Sequence, residues 1–135
     1  MNAFIRDLIV EITDEGIIVA ISMPNGLPPA NWKHKISLLL GRLEGFRVTG
    51  NSMTPTVSDG SSVLIKRTKS FIAGDIVLAH HPFKKSVKIL KRIESITPDH
   101  TYFLIGDNSA ESTDSRTLGK IPLDQIIGKA VCRLD

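Results

Sequence analysis

Two short stretches hold the residues whose types and spacing could do chemistry. In Gly50-Asn51-Ser52-Met53-Thr54-Pro55 a serine sits in a turn, because Gly50 and Asn51 tolerate unusual backbone angles and Pro55 fixes the chain just beyond. Lys91-Arg92 lies in residues 87–96, a run with the texture of a β-strand. A serine hydroxyl is a weak nucleophile and needs a base within hydrogen-bond reach. A neutral lysine amine can be that base, in the place that better-known triads give to histidine. The chemistry would be attack on a carbonyl, with a serine ester as the intermediate.

Strand geometry places the lysine independently of any motif. Alternate residues of a strand face opposite sides. In residues 87–96 one face carries Val87, Ile89, Lys91, Ile93 and Ser95, and the other Lys88, Leu90, Arg92, Glu94 and Ile96. Lys91 thus shares its face with three β-branched aliphatics. A lysine so placed either snorkels its ammonium to the edge or loses its proton. An unperturbed lysine is neutral in only about one molecule in 2,500 at pH 7, and a shift of about three units makes half the molecules competent bases. That shift is worth roughly 4 kcal/mol, within the reach of desolvation. Arginine could not substitute, because it stays protonated.

A third stretch, residues 106–116, reads Gly-Asp-Asn-Ser-Ala-Glu-Ser-Thr-Asp-Ser-Arg. It is either a polar turn closed by Asx and Ser/Thr bonds or a loop that supports the pair. In the second reading a hydroxyl orients the lysine amine, and an Asp114/Arg116 pair pins the loop.

The elements that position these residues are short. The 135 residues suit one domain, 46–135, with an arm over 1–45. Residues 23–29 form a breaker-rich linker. Asn31 is a fair helix cap, and Trp32, Ile36, Leu39, Leu40 and Leu43 recur at helical spacing. This amphipathic helix reads as a cover for the sheet, with a peripheral membrane or substrate-docking role as the other reading. Strands are predicted over 46–49, 62–66, 75–80, 87–96, 102–105 and 129–134, and a helical turn over 123–127. The fold class is mainly β.

Composition excludes several classes. A net charge of +3 is mild, and with 5% aromatic residues the scattered cations lack stacking partners, so no nucleic-acid role is expected. Cys132 is the single cysteine, which rules out an internal disulfide and reads as a small buried apolar residue. Residues 4–23 are apolar on average but interrupted by Arg6, Asp7, Glu11, Asp14 and Glu15, and no uncharged run approaches the roughly 20 residues of a membrane span. No secretory signal is present either, so the sequence predicts a soluble, cytoplasmic protein.

At these motifs the chain resembles type I signal peptidases. Gly50, Ser52-Met53 and Pro55-Thr56, then Gly74-Asp75-Ile76-Val77, then Lys91-Arg92, then Gly106-Asp107-Asn108 and Ser112, Asp114-Ser115-Arg116 follow that family's order and approximate spacing. The resemblance implies a compact β catalytic domain like that of signal peptidases and LexA-type repressors, with a short N-terminal helical arm. It implies Ser52 as nucleophile, Lys91 as general base, Ser112 as the hydroxyl holding the lysine, and Asp114/Arg116 as a structural ion pair. Asn51 would support the turn, while Met53 and Pro55 would border the substrate. The Ser52 N–H would be one oxyanion donor. Some members carry a further serine hydroxyl at the position that Gly50 occupies here.

Two departures point to a small branch of that family. The transmembrane anchor is missing, and Glu94-Ser95-Ile96-Thr97-Pro98-Asp99 replaces the usual Gly-Leu-Pro-Gly-Asp. Asn31-Trp32-Lys33, residues 46–53, Ala79-His80-His81-Pro82 and residues 111–116 are similar to the nickel-type superoxide dismutase maturation proteases. That similarity implies removal of an N-terminal extension from the dismutase precursor, with a protein substrate, no cofactor and no metal. His80-His81-Pro82 reads as a turn rather than a metal site. Met23, just before the first matching residues, would serve as the natural start. The competing readings are processing of exported proteins and a non-catalytic peptide-binding β module.

Overall fold

A computed structural model describes residues 26–134 in full. Ahead of them it describes the backbone of three strands, β1 (Asn2–Ile5), β2 (Leu8–Thr13) and β3 (Gly16–Ser22), paired antiparallel in that order. Their density of β-branched residues suits a pleated ribbon. Strands were not expected in this part of the arm. Met23 lies outside the described residues.

The second sheet has seven antiparallel strands. Its strands are β4 (Glu44–Arg47), β5 (Ser62–Arg67), β6 (Ile76–His80), β7 (Lys88–Ile96), β8 (Thr101–Ile105), β9 (Ile121–Pro122) and β10 (Ile126–Arg133). Their order is β4-β5-β10-β6-β7-β8-β9, so the last strand is inserted between β5 and β6. The mainly β architecture is as expected. Each predicted strand is present, although β4 begins at Glu44 and β10 at Ile126. The predicted helical turn shrinks to a 3-10 turn over Leu123–Gln125, because β10 takes up Ile126 and Ile127.

Both faces of the sheet are covered. Along β6, Ile76 and Leu78 enter one apolar cluster with Met53, Val57, Val63, Ile65 and Leu90. Val77 and Ala79 enter a second, with Ile93, Tyr102, Leu104, Ile121 and Ile126. A strand buried on both sides reads as a continuous apolar run, which is why Ile76-Val77-Leu78-Ala79 shows no alternation.

The helix departs from expectation in two ways. Helix α1 (Trp32–Leu39) is capped as predicted: the Asn31 side chain accepts from the Lys33 and His34 N–H groups at 2.9 and 3.1 Å, and the Asn31 N–H donates to His34 Nδ1 at 3.1 Å. It stops before Leu43, because Gly41 takes a left-handed turn at φ 74° and reverses the chain. It also does not cover the sheet, since none of its residues is buried. Only Leu38, with Ala30 ahead of the helix, packs against Leu43, Leu64 and the buried Cys132.

Candidate active site

The Ser52 turn is held from below. Met53 and Val57 are fully buried in the first cluster, and the Val57 N–H donates to the Met53 carbonyl at 2.9 Å. The Asn51 carbonyl accepts both the Thr54 N–H (3.2 Å) and the Thr54 hydroxyl (2.9 Å). Burying the residue after the serine leaves Ser52 half-exposed at the surface. Gly50 stands at φ 90°, as a glycine can, and its N–H is taken by the Asp59 carboxylate at 2.8 Å. Among the described residues neither the hydroxyl nor the N–H of Ser52 makes a hydrogen bond.

Lys91 lies opposite Val77 in the β6–β7 register, on the face of Ile89 and Ile93. It is 4% exposed, so it does not snorkel. Burial is the main cause pushing its amine below the ordinary lysine range; Arg116 adds to that and Asp114 opposes it. Its Nζ donates to Ser112 Oγ at 3.0 Å, and the Ser112 hydroxyl donates to Asp114 Oδ2 at 2.7 Å. Because the one hydroxyl proton is committed to Asp114, Ser112 can only accept from the lysine. A neutral amine that gives one N–H to Ser112 keeps its lone pair for another partner.

Asp114 anchors this chain. It is 1% exposed, accepts the Gly106 N–H at 2.9 Å and receives Arg116 through Nε (2.8 Å) and Nη2 (3.0 Å). Burial alone would raise its carboxyl, but Arg116, Gly106 and Ser112 together hold it well below the usual carboxylate range. Gly106 is the hinge of the arrangement. A Cβ there would fall on Ser112 Oγ and lie 2.6 Å from the Ser52 carbonyl oxygen. Only glycine lets the serine turn and the Ser112 loop approach this closely.

A second network was not anticipated as site residues. Arg92, on the opposite face of β7, donates Nε and Nη2 to the two oxygens of Asp107 at 2.8 Å each, and Nη1 to the Gly74 carbonyl at 2.8 Å. Asp107 also accepts the Thr56 hydroxyl, and burial is outweighed by these partners, so its carboxyl titrates below its ordinary value. The Asn108 N–H donates to the Ser52 carbonyl at 2.9 Å and its Nδ2 to Thr54 Oγ1 at 3.0 Å. Asp107 and Asn108 therefore tie both ends of the serine turn to the sheet. The signal was present: an arginine facing a core must find a carboxylate. Its partner, 15 residues away, could not be chosen without the fold.

Ser52 and Lys91 border one cleft of about 580 Å³, which is also lined by Phe46 through Asn51, His81, residues 87–90, Glu111 and Thr113. Met53 and Pro55, expected at the substrate, do not line it. Met53 is fully buried because it anchors the turn, and Pro55, after a cis peptide bond, points to solvent. His81 closes the predicted turn, its Nδ1 accepting from the Phe83 and Lys84 N–H groups at 3.1 Å. His80 borders a separate cavity of about 400 Å³ with Arg67 and Lys69.

This geometry coincides with a family match. The profile of the Peptidase S24-like family covers residues 40–131, which include the serine turn, Lys91 and the Ser112 loop. The chain belongs to the Peptidase S24-like family. Among curated proteins it is similar to the mitochondrial inner membrane protease subunit 1 of Xenopus tropicalis, 33% identical with 64% of this chain and 65% of that protein covered. It is also similar to the protein of the same name from Schizosaccharomyces pombe, 28% identical with 64% of this chain and 69% of the relative covered. The chain thus spans about two thirds of the length of these relatives. Membership in a peptidase family meets the expectation drawn from the motifs.

Proposed function

We propose that the chain is a serine endopeptidase whose Ser52/Lys91 pair removes an N-terminal extension from a protein precursor. The observation that carries this reading is the buried Lys91 amine, held by Ser112 beside the cleft that Ser52 borders. Peptidase S24-like membership supports the same chemistry. In the reaction, neutral Lys91 takes the Ser52 hydroxyl proton as Oγ bonds to the scissile carbonyl carbon. The tetrahedral oxyanion meets the Ser52 N–H, a donor with no other partner among the described residues. The carbon–nitrogen bond breaks as the Lys91 ammonium returns its proton to the leaving amine. Water then gives a proton to Lys91 and attacks the ester, and Ser52 recovers its hydroxyl.

The substrate we propose is the nickel superoxide dismutase precursor, on the similarity of residues 31–33, 46–53, 79–82 and 111–116 to its maturation proteases. Mass spectrometry of that precursor before and after incubation tests both levels. A single cut at the boundary of the extension, absent with Ser52→Ala, is expected. Cleavage of exported precursors instead would keep the dyad and replace the substrate. Undiminished cleavage by Ser52→Ala and Lys91→Ala would overturn the dyad itself.

A further inference from the structure

The apolar face of α1 has no partner among the described residues. Trp32, Ile36, Leu39 and Leu40 recur at intervals of one helical turn and are 67, 46, 85 and 61% exposed. A surface helix ordinarily turns such a stripe towards the core. Here it faces outward, and the charged residues of its own segment, Asn31 to Leu43, have one sign. Lys33, Lys35 and Arg42 are exposed, and no Asp or Glu occurs from Asn31 to Leu43. The Lys33 ammonium lies 5.6 Å from the Trp32 ring centroid, so cation and indole are presented together.

We propose that α1 docks this face on an anionic lipid surface. Tryptophan and leucines beside lysine and arginine are the composition of a helix that lies in the membrane interface: the apolar side chains enter the headgroup–acyl boundary and the cations meet lipid phosphates. The helix is eight residues long and lies in the plane, since crossing needs roughly 20 residues. Among the described residues no helix is long and apolar enough to cross. Strand β4 begins at Glu44, and Phe46 through Gly50 wall the cleft, so a docked α1 holds the cleft close to the lipid surface. Docking through α1 uses none of the residues assigned to chemistry.

Trp32 is the only tryptophan, which makes its emission a direct probe. The whole protein is titrated with vesicles of phosphatidylcholine and phosphatidylglycerol in equal parts, and with phosphatidylcholine alone. The expected result is a blue shift, and quenching by lipids brominated on the acyl chains, with the anionic vesicles only. Leu39→Asp should abolish the shift, and Lys33→Glu with Lys35→Glu should weaken binding by about tenfold or more. Both variants should keep their melting temperature and their cleavage of a soluble peptide. Lys33 and Lys35 are exposed, so the pair disturbs no buried packing and carries the test if Leu39→Asp does not fold. No shift with either vesicle overturns the proposal. So does blue emission in buffer alone, whether it depends on concentration (a second copy covers the face) or not (residues 1–25 cover it).

Discussion

Lys91 Nζ lies 3.0 Å from the Ser112 hydroxyl, and that hydroxyl is itself committed to Asp114 at 2.7 Å. The two bonds fix the direction of hydrogen bonding between Lys91 and Ser112. Ser112 accepts one N–H and Asp114 prevents it from donating back, so Ser112 does not occupy the amine lone pair.

Activity should follow the protonation of Lys91. Its folded pKa is lowered chiefly by burial, so the rate should rise with pH through that value and then level off. Lys91→Arg should be inactive at every pH, since the guanidinium stays protonated. A pH–rate profile with no ascending limb would count against an amine base.

The same shift makes a stability prediction of known sign. A lysine with a lowered folded pKa binds more protons when unfolded, so stability rises with pH between the folded value and the unfolded value of about 10.4. Lys91→Met should melt higher than the parent at neutral pH, and the advantage should vanish above that range. Paired thermal melts across pH would check it.

Asp114 behaves in the opposite sense. Its depressed carboxyl contributes stability that is complete above the unfolded value of about 3.9 and lost as pH falls below it. Asp114→Asn should flatten the acid limb of the melting curve. It should also destabilise the neutral protein by about 3 kcal/mol, because the buried hydrogen-bond set is broken.

Gly106→Ala should separate the two serines. The added methyl has no room against Ser112 and the Ser52 carbonyl, a cost of about 1–3 kcal/mol in stability. Turnover should fall about a hundredfold or more, the share ordinarily contributed by a positioned base. Full activity in a stable Gly106→Ala protein would show that the close approach has no part in catalysis.

Arg92→Lys tests the second network. A lysine cannot reproduce the two-pronged bond to Asp107, so chemical denaturation should show a loss of about 1–3 kcal/mol. Because Asp107 and Thr56 brace the serine turn, turnover should drop more than substrate affinity. An unchanged turnover number would limit the pair to a structural role.

Met53→Ala should cost about 2–5 kcal/mol, the range for emptying a fully buried large side chain. A substrate-lining methionine would instead change selectivity with little effect on stability. Comparing melts with cleavage of peptides that differ in side-chain size separates the two outcomes.

The sequence by itself determined the mainly β class, the capped start of α1 and the placement of Lys91. These rest on local rules: turn residues punctuate strands, Asn31 caps its own helix, and alternate strand residues take opposite faces. The motif residues Ser52, Lys91, Ser112, Asp114 and Arg116 could be named from their order along the chain. The tertiary structure decided which of them meet. Parity placed Arg92 opposite Lys91 but could not choose Asp107, because an ion pair across a fold depends on strand register rather than spacing. It also decided that Met53 points inward and the α1 stripe outward. Helical periodicity reveals that a face is apolar, but only the packed neighbours determine whether anything covers it.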